Sequence, residues 1–177
     1  MTEVVYLKWW GCGAFDIRTD DVNIAFDPYL FGHNLENAEP IYDYIFISHE
    51  HFDHCHPKSL EKLCAGPRFK RLYVCPGCVY PNTPIAENYG HAALERDLPV
   101  TKYVSEEKIS IVYPGIRDDR QTGRPWEGAT EERELPGPHM LDLGEIDVEV
   151  IESGENQRAD LTTNGYLVRH KSTGVSV

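Results

Sequence analysis

The sequence has 177 residues, 41% of them hydrophobic, which is enough for one buried core and short for two domains. With 29 acidic and 17 basic residues, the net charge of −12 disfavours nucleic acid and anionic membranes as partners, although a local cation could still bind a small anionic substrate. We see no stretch near the ~20 apolar residues of a membrane span and no signal peptide, and the five cysteines are odd in number and scattered, so we expect reduced thiols in a cytoplasmic protein.

The first third of the chain has the pattern of β-strands. Three strands separated by the turns "GCG" and "DD" are predicted there: residues 3–10, 14–19 and 22–30. The run "IYDYIFISH" (41–49) is almost continuously apolar, which predicts a strand covered on both faces. A helix is predicted over residues 56–66, with Pro57 in its first turn and Gly66 just past its end.

The middle of the chain continues this alternation. Strands are predicted over residues 69–76 and 108–115, on either side of a predicted helix over residues 85–98. Strands that alternate with two helices indicate an α/β or α+β domain.

The last third combines an insertion with two hairpins. Residues 116–138 are polar and contain Gly and Pro, which predicts either a surface loop or an active-site lid. Residues 140–153 are typical of a hairpin that turns near Gly144, and residues 164–177 of a second hairpin whose return strand is short. No repeat or linker interrupts the chain, so we expect one domain over residues 1–177.

The stretch "SHEHFDHCH" (48–56) concentrates metal-capable side chains between a predicted strand and a predicted helix. Side chains two positions apart in an extended segment point the same way, so His49 and His51 could hold one cation together. Asp53 and His54 follow where the chain turns into the helix and could hold a second cation. A metal-bound water has a pKa near neutrality, and Asp53 could act as the acid or base for the proton of that water rather than as a ligand. The alternative is a surface cluster of histidines without a metal.

The segment "ISHEHFDHCHP" resembles the signature of the metallo-β-lactamase fold superfamily, and "WWGCGAFDIRTDDVNIAFDPYL" resembles that family's opening strands. The order of the motifs is most similar to the L-ascorbate-6-phosphate lactonase-like branch. The resemblance implies an α+β fold, an αββα sandwich with a metal site at one edge of its two sheets, and usually hydrolysis. It also implies that His49 and His51 ligate a first metal, that Asp53 and His54 ligate a second, and that Asp27 orients the loop of residues 48–56, called the histidine loop below.

The sequence departs from the family pattern in two places. Many members carry a third histidine where this chain reads "ESGENQR", so Glu155 is the expected ligand, with Glu152 and Asn156 as neighbours. A carboxylate ligand would favour Mn²⁺ or Fe²⁺ over purely tetrahedral Zn²⁺, and the resemblance implies one or two such ions. Members also continue with a second half that carries further ligands, so we expect an incomplete copy of the fold. The chain could be a fragment of a longer enzyme, or another chain could supply the rest. The third alternative is a divergent fold that completes its site differently.

Several residues have two interpretations. Asp27 could simply end a strand before a proline, and His56 could line the substrate pocket or begin the helix. Cys75-Pro-Gly-Cys78 could be a pair of structural cysteines or a redox pair. His33 and His139 are weaker candidates for the mouth of the site and for a substitute ligand.

The expected function is hydrolysis of a small cyclic ester or a phosphorylated sugar derivative by a metal-activated water. A metal-dependent phosphodiesterase would use the same ligands to clamp an in-line displacement at phosphorus. The same motif could instead belong to an iron-binding oxidoreductase or to a non-catalytic fragment of the same fold. The fragment predicts an exposed apolar sheet edge that seeks a partner, either a second copy or a completing chain.

Overall fold

Two β-sheets with helices on one side dominate the computed structural model, which describes residues 4–79, 99–114, 116–118, 132–134, 138–153 and 164–177. The helices are α1 (Gly32–Asn37), α2 (Pro57–Cys64) and the short α3 (Pro76–Val79), with 3₁₀ turns at Val100–Lys102 and Glu106–Lys108. The larger sheet consists of β1 (Tyr6–Gly11), β2 (Ala14–Arg18), β3 (Asn23–Phe26), β4 (Tyr44–Ile47), β5 (Arg71–Val74) and β6 (Ile109–Ile111). A separate two-stranded ribbon pairs β7 (Ile116–Asp118) with β8 (Glu132–Glu134), and a three-stranded sheet contains β9 (Met140–Asp142), β10 (Ile146–Glu152) and β11 (Asn164–His170).

The strands of the larger sheet lie in chain order, β1 to β6. The pairs β1–β2 and β2–β3 are antiparallel, whereas β3–β4, β4–β5 and β5–β6 are parallel. Parallel strands end at one common edge of a sheet, so the segments that follow β3, β4 and β5 meet there. This edge is where the histidine loop lies.

Strand β4 runs through the centre of the hydrophobic core. Ile45 and Ile47 pack on the helical side together with Leu60 of α2, whereas Phe46 points to the opposite side and packs against Val148 of the smaller sheet. All of these side chains are fully buried. The prediction of a strand covered on both faces is therefore confirmed, because a helix layer and a second sheet each cover one face.

The smaller sheet is tied to the larger one next to the histidine loop. The Tyr166 hydroxyl donates to the Ile47 carbonyl at 2.7 Å, and the Asn164 backbone N–H donates to the Ser48 carbonyl at 2.9 Å. The buried Asn164 side chain also donates to the Val112 carbonyl at 3.0 Å. Strand β11 thus fixes the backbone on which the histidine loop begins.

Most predicted elements are present, with shorter strands than predicted. Helix α2 begins at Pro57 as expected, and the hairpin β9–β10 turns at Gly144, whose φ of +92° favours glycine. Helix α1 was missed, because its six residues carry no buried apolar side chain that would produce a periodic pattern. The predicted helix over residues 85–98 and most of the 116–138 insertion lie outside the described residues.

No helix in the described part of the chain is both long enough and apolar enough to cross a membrane.

Edge strand β1 exposes several large apolar side chains. Tyr6, Leu7 and Trp9 are each more than half exposed. Leu7 also lines, together with Phe15, an apolar cavity of about 380 Å³ between the two sheets. The apolar edge expected for a non-catalytic fragment is therefore present, but it occurs in the same chain as the cluster of metal-capable residues.

Candidate metal centre

The candidate site lies at the edge where the parallel strands end. Asp27 directly follows β3, and Ser48 and His49 directly follow β4. The backbone N–H of Asp27 donates to the Phe46 carbonyl at 2.9 Å, which continues the ladder between the two strands. Asp27 has a positive φ of +43°, so the chain turns sharply just after it presents this carboxylate.

The first pair of donor atoms comes from His49 and His51. Nε2 of His49 lies 3.0 Å from Nδ1 of His51, and the two rings meet edge to face. The Ser48 hydroxyl donates its single proton to Asp27, so its oxygen must accept from Nδ1 of His49, 2.9 Å away. This hydrogen bond leaves Nε2 of His49 without a proton and directed toward His51, as a metal ligand requires.

The environment of His49 also keeps its ring neutral. Burial, followed by the neighbouring rings of His54 and His51, lowers the pKa of His49 to about 4. A neutral imidazole is the form that binds a metal ion, so His49 is available as a ligand across the neutral range.

The second pair of donor atoms comes from Asp53 and His54. Oδ2 of Asp53 lies 3.8 Å from Nε2 of His54, and half of the Asp53 side chain is exposed. The ring of His54 lies 4.1 Å from that of His49, measured between centroids, so the two pairs are neighbours. The structure therefore brings together the four residues of the H-x-H-x-D-H motif.

Asp27 connects the histidine loop to the sheet through both of its carboxylate oxygens. Oδ1 accepts the backbone N–H of Ser48 at 2.7 Å, and Oδ2 accepts the Ser48 hydroxyl at 2.6 Å. Nδ1 of His54 lies 2.8 Å from the same Oδ2, and because a carboxylate only accepts, the proton is on Nδ1 of His54. In the neutral form of the ring, which is the form that binds a metal ion, Nε2 of His54 then carries no proton and faces Asp53.

Two residues outside the histidine motif also reach this cluster. The sulfur of Cys12, in the turn between β1 and β2, lies 3.8 Å from Oδ2 of Asp53. A side chain at Gly13 would meet the ring of His54. The signal for both is the "GCG" turn, which the sequence marks as a connection between strands and as part of the family resemblance but not as part of the site.

The remaining candidate residues lie apart from these pairs. His56 is buried at the N-terminal cap of α2, where its Nδ1 lies 2.7 Å from the Ser59 hydroxyl. His33 lies in α1, with its Nδ1 3.0 Å from the Asn37 amide nitrogen, and His139 is exposed just before β9. Glu155 and Asn156 lie outside the described residues, and of Glu152 only the backbone is described.

The CxxC pair packs behind the histidine loop as free thiols. The sulfurs of Cys75 and Cys78 are 3.7 Å apart and both residues are buried. Burial, together with the thiols of Cys55 and Cys75, raises the pKa of Cys78 well above its usual range. A buried thiol that stays protonated, as at Cys78, is a poor nucleophile, which favours the structural interpretation of the pair over the redox one.

The donor set suits a divalent cation, although it is not a complete cage. Among the described residues, no three His, Cys, Asp or Glu side chains are already arranged to hold a metal ion. The donors are imidazole nitrogens and a carboxylate oxygen, a chemistry that fits Zn²⁺, Mn²⁺ or Fe²⁺. Further ligands would have to come from outside these pairs.

Comparison with known proteins bears on the family and the fold of the chain. The sequence matches a family model described as "Beta-lactamase superfamily domain" over residues 6–175, whereas no curated protein matches it significantly. Among solved structures, CmlA, a diiron β-hydroxylase from Streptomyces venezuelae, has a TM-score of 0.51 and 17% identity over 96% of this chain and 28% of its own. At this identity the likeness shows a shared fold.

Two further structures are described as metal-dependent enzymes. A protein described as a metal-dependent hydrolase from Parabacteroides distasonis has a TM-score of 0.49 and 15% identity, over 96% of this chain and 57% of its own. Igni18, a metallo hydrolase from Ignicoccus hospitalis, has a TM-score of 0.49 and 14% identity, over 95% of this chain and 57% of its own. The chain thus spans less than two thirds of the length of these solved structures.

Proposed function

Because the chain belongs to the β-lactamase superfamily and has its metallo-β-lactamase fold, we propose that it is a metal-dependent hydrolase acting on a small cyclic ester or a phosphorylated sugar derivative. The observation that carries the proposal is the orientation of the histidine rings. Ser48 and Asp27 engage the Nδ1 atoms of His49 and His54, so in the neutral rings both Nε2 atoms carry a lone pair that a cation can use.

We assign the first cation to His49 and His51 and the second to Asp53 and His54, with Glu155 as a further ligand of one of them. Divalent ions held there supply a Lewis acid for the scissile carbonyl or phosphoryl oxygen and a water that loses its proton near neutral pH. The low pKa of His49 supports this assignment, since the ring needs no deprotonation before it binds. Asp53, half-exposed at the rim, is the residue to which we assign transfer of the water's proton.

The test begins with metal content and continues with substrates. The purified 177-residue chain is freed of metal, incubated with Zn²⁺, Mn²⁺ or Fe²⁺, dialysed and analysed for bound metal. It is then assayed on a panel of sugar lactones, with and without a phosphate group, and on bis-(p-nitrophenyl) phosphate. We expect near-stoichiometric metal and turnover of at least one lactone.

Matched variants make the test specific. The double variant His49→Ala/His51→Ala should lose metal and activity, and Asp53→Asn should lose activity by a larger factor than it loses metal. His33→Ala removes a histidine that hydrogen-bonds within its own helix and should change neither property. A parent protein without metal, or one loaded with metal but inactive on the whole panel, would contradict the proposal.

Two different results would point to another chemistry at the same site. Turnover of the phosphodiester alone would indicate a phosphodiesterase that uses the same residues. Iron bound at the site, with an absorption spectrum that changes on exposure to oxygen, would indicate an oxidoreductase; CmlA, which shares the fold, is described as a diiron β-hydroxylase.

A further inference from the structure

The turn between β1 and β2 has a backbone that few residues can adopt. Gly11 and Cys12 have φ values of +107° and +50°, both in the region that favours glycine. The indole N–H of Trp9 donates to the carbonyl of Cys12 at 2.9 Å and holds the turn in place. The register between β2 and β3, which pairs Phe15 with Phe26, sets this turn beside the end of β3 and therefore beside the candidate site.

Gly13 is the residue of this turn that lies against His54. A Cβ atom built there would lie 2.8 Å from Cε1 and 3.1 Å from Nδ1 of His54, and 3.7 Å from Oδ2 of Asp27. Carbon atoms in contact are normally about 3.5–4.0 Å apart, so even a methyl group would push the ring away. The crowded ring atoms include Nδ1, which makes the 2.8 Å hydrogen bond to Asp27.

The ring of His54 has little freedom to give way. Asp27 holds its Nδ1, and the ring of His49 lies 4.1 Å away. A rotation that relieves the crowding would break the bond to Asp27 and would also turn Nε2 away from Asp53, 3.8 Å distant.

We propose that Gly13 is a positioning residue of the metal centre, because its lack of a side chain lets His54 reach Asp27 and present Nε2 to the second cation. The part of the inference that concerns the cation rests on the proposed metal-dependent function. The contact between Gly13 and His54 can be tested in the metal-free protein. The turn between the first two strands is thereby a wall of the site as well as a connection.

The chain offers a matched control in Gly11. At Gly11 the φ of +107° penalises any side chain, yet a Cβ there meets no atom within 4 Å. At Gly13 φ lies outside the left-handed range, so the crowding with His54 is the main cost of a methyl group. Gly11→Ala therefore imposes strain without the contact, and Gly13→Ala imposes the contact without that strain.

The first measurement follows the His54 ring in the metal-free protein. Long-range ¹H–¹⁵N spectra, recorded at a pH at which the ring is neutral, should show the proton on Nδ1 in the parent and in Gly11→Ala. Gly13→Ala should shift His54 toward a mixture of tautomers. An unchanged His54 in Gly13→Ala would overturn the proposal, as would the same change in both variants.

The second measurement is zinc binding, by competition with a chromophoric chelator. Losing a contact that orients a metal ligand weakens binding by about 10–100-fold, and we expect a loss of this size for the weaker zinc equivalent in Gly13→Ala. Gly11→Ala should bind zinc within about a factor of two of the parent, since it leaves the contacts of the ligands intact. Zinc affinity retained in Gly13→Ala would overturn the proposal.

A double-mutant comparison keeps the proposal testable if Gly13→Ala folds poorly. In a His54→Ala background the crowded ring is gone, so adding Gly13→Ala should leave the melting temperature unchanged, although it lowers that of the parent. An equal loss in both backgrounds would overturn the proposal. If the parent binds no zinc, the proposed function fails, while the ring spectra and the melting temperatures still decide the role of Gly13.

Discussion

Replacement of Asp27 by asparagine tests how the fold prepares the histidine loop. The carboxylate of Asp27 accepts three hydrogen bonds of 2.6–2.8 Å, from the Ser48 N–H, the Ser48 hydroxyl and Nδ1 of His54. An asparagine has the same shape but only one acceptor oxygen, and its NH₂ group would face Nδ1 of His54 as a donor. His54 would respond by moving its proton to Nε2, the atom that is meant to bind the cation.

The magnitudes follow from these contacts. A hydrogen bond to a charged group contributes about 1.5–3 kcal/mol, so Asp27→Asn should lower the free energy of unfolding by an amount in that range. The wrong tautomer of His54 should weaken metal binding by about 10–100-fold, as found when the partners of metal-ligating histidines are removed. Urea denaturation and zinc competition measure the two effects separately.

Asp43 provides the control for this variant. It is a second buried carboxylate, at the opposite end of β4, where it accepts hydrogen bonds from the Asn23 N–H and the Arg68 side chain. Asp43→Asn should therefore lower stability without changing zinc affinity. The reasoning would be refuted if Asp27→Asn bound zinc as tightly as the parent, or if Asp43→Asn lost as much affinity.

Three further predictions concern His49, Cys12 and Asn164. Between pH 6.5 and about 4 the unfolded chain protonates His49, whereas the folded protein keeps it neutral. The free energy of unfolding of the metal-free protein should therefore decrease as the pH is lowered through this window, by at most about 3 kcal/mol. Urea titrations at about pH 7 and pH 4.5, on either side of the ordinary histidine pKa, should show a smaller decrease in His49→Gln. Cys12 is exposed, so N-ethylmaleimide should label it before the buried CxxC pair, and the adduct, 3.8 Å from Asp53, should weaken zinc binding; peptide mapping that finds another cysteine labelled first would contradict this. Asn164→Ala leaves the Val112 carbonyl without the amide donor and should cost about 1–3 kcal/mol in urea denaturation, whereas an unchanged midpoint would show that the bridge contributes little.

The histidine motif and the main elements were predictable because their signals are local. An almost continuous apolar run marks β4 as buried on both faces, and Pro57 marks the start of α2. The H-x-H-x-D-H spacing is itself a local property, since side chains two apart on an extended segment share a side. Helix α1 gives no such local signal, because none of its six residues is buried and no apolar pattern marks it.

The contacts that prepare the ligands were decided only by the tertiary structure. Asp27 is 27 residues from His54, and it meets that ring because β3 and β4 pair in parallel with Phe26 opposite Phe46. Gly13 reaches the same ring through the antiparallel register of β2 and β3. A shift of one residue in either register would turn these groups to the other face of the sheet, and no local pattern specifies that choice. The sequence by itself therefore determined which side chains could bind a cation, whereas the sheet register decided which atoms of those side chains are oriented to bind it.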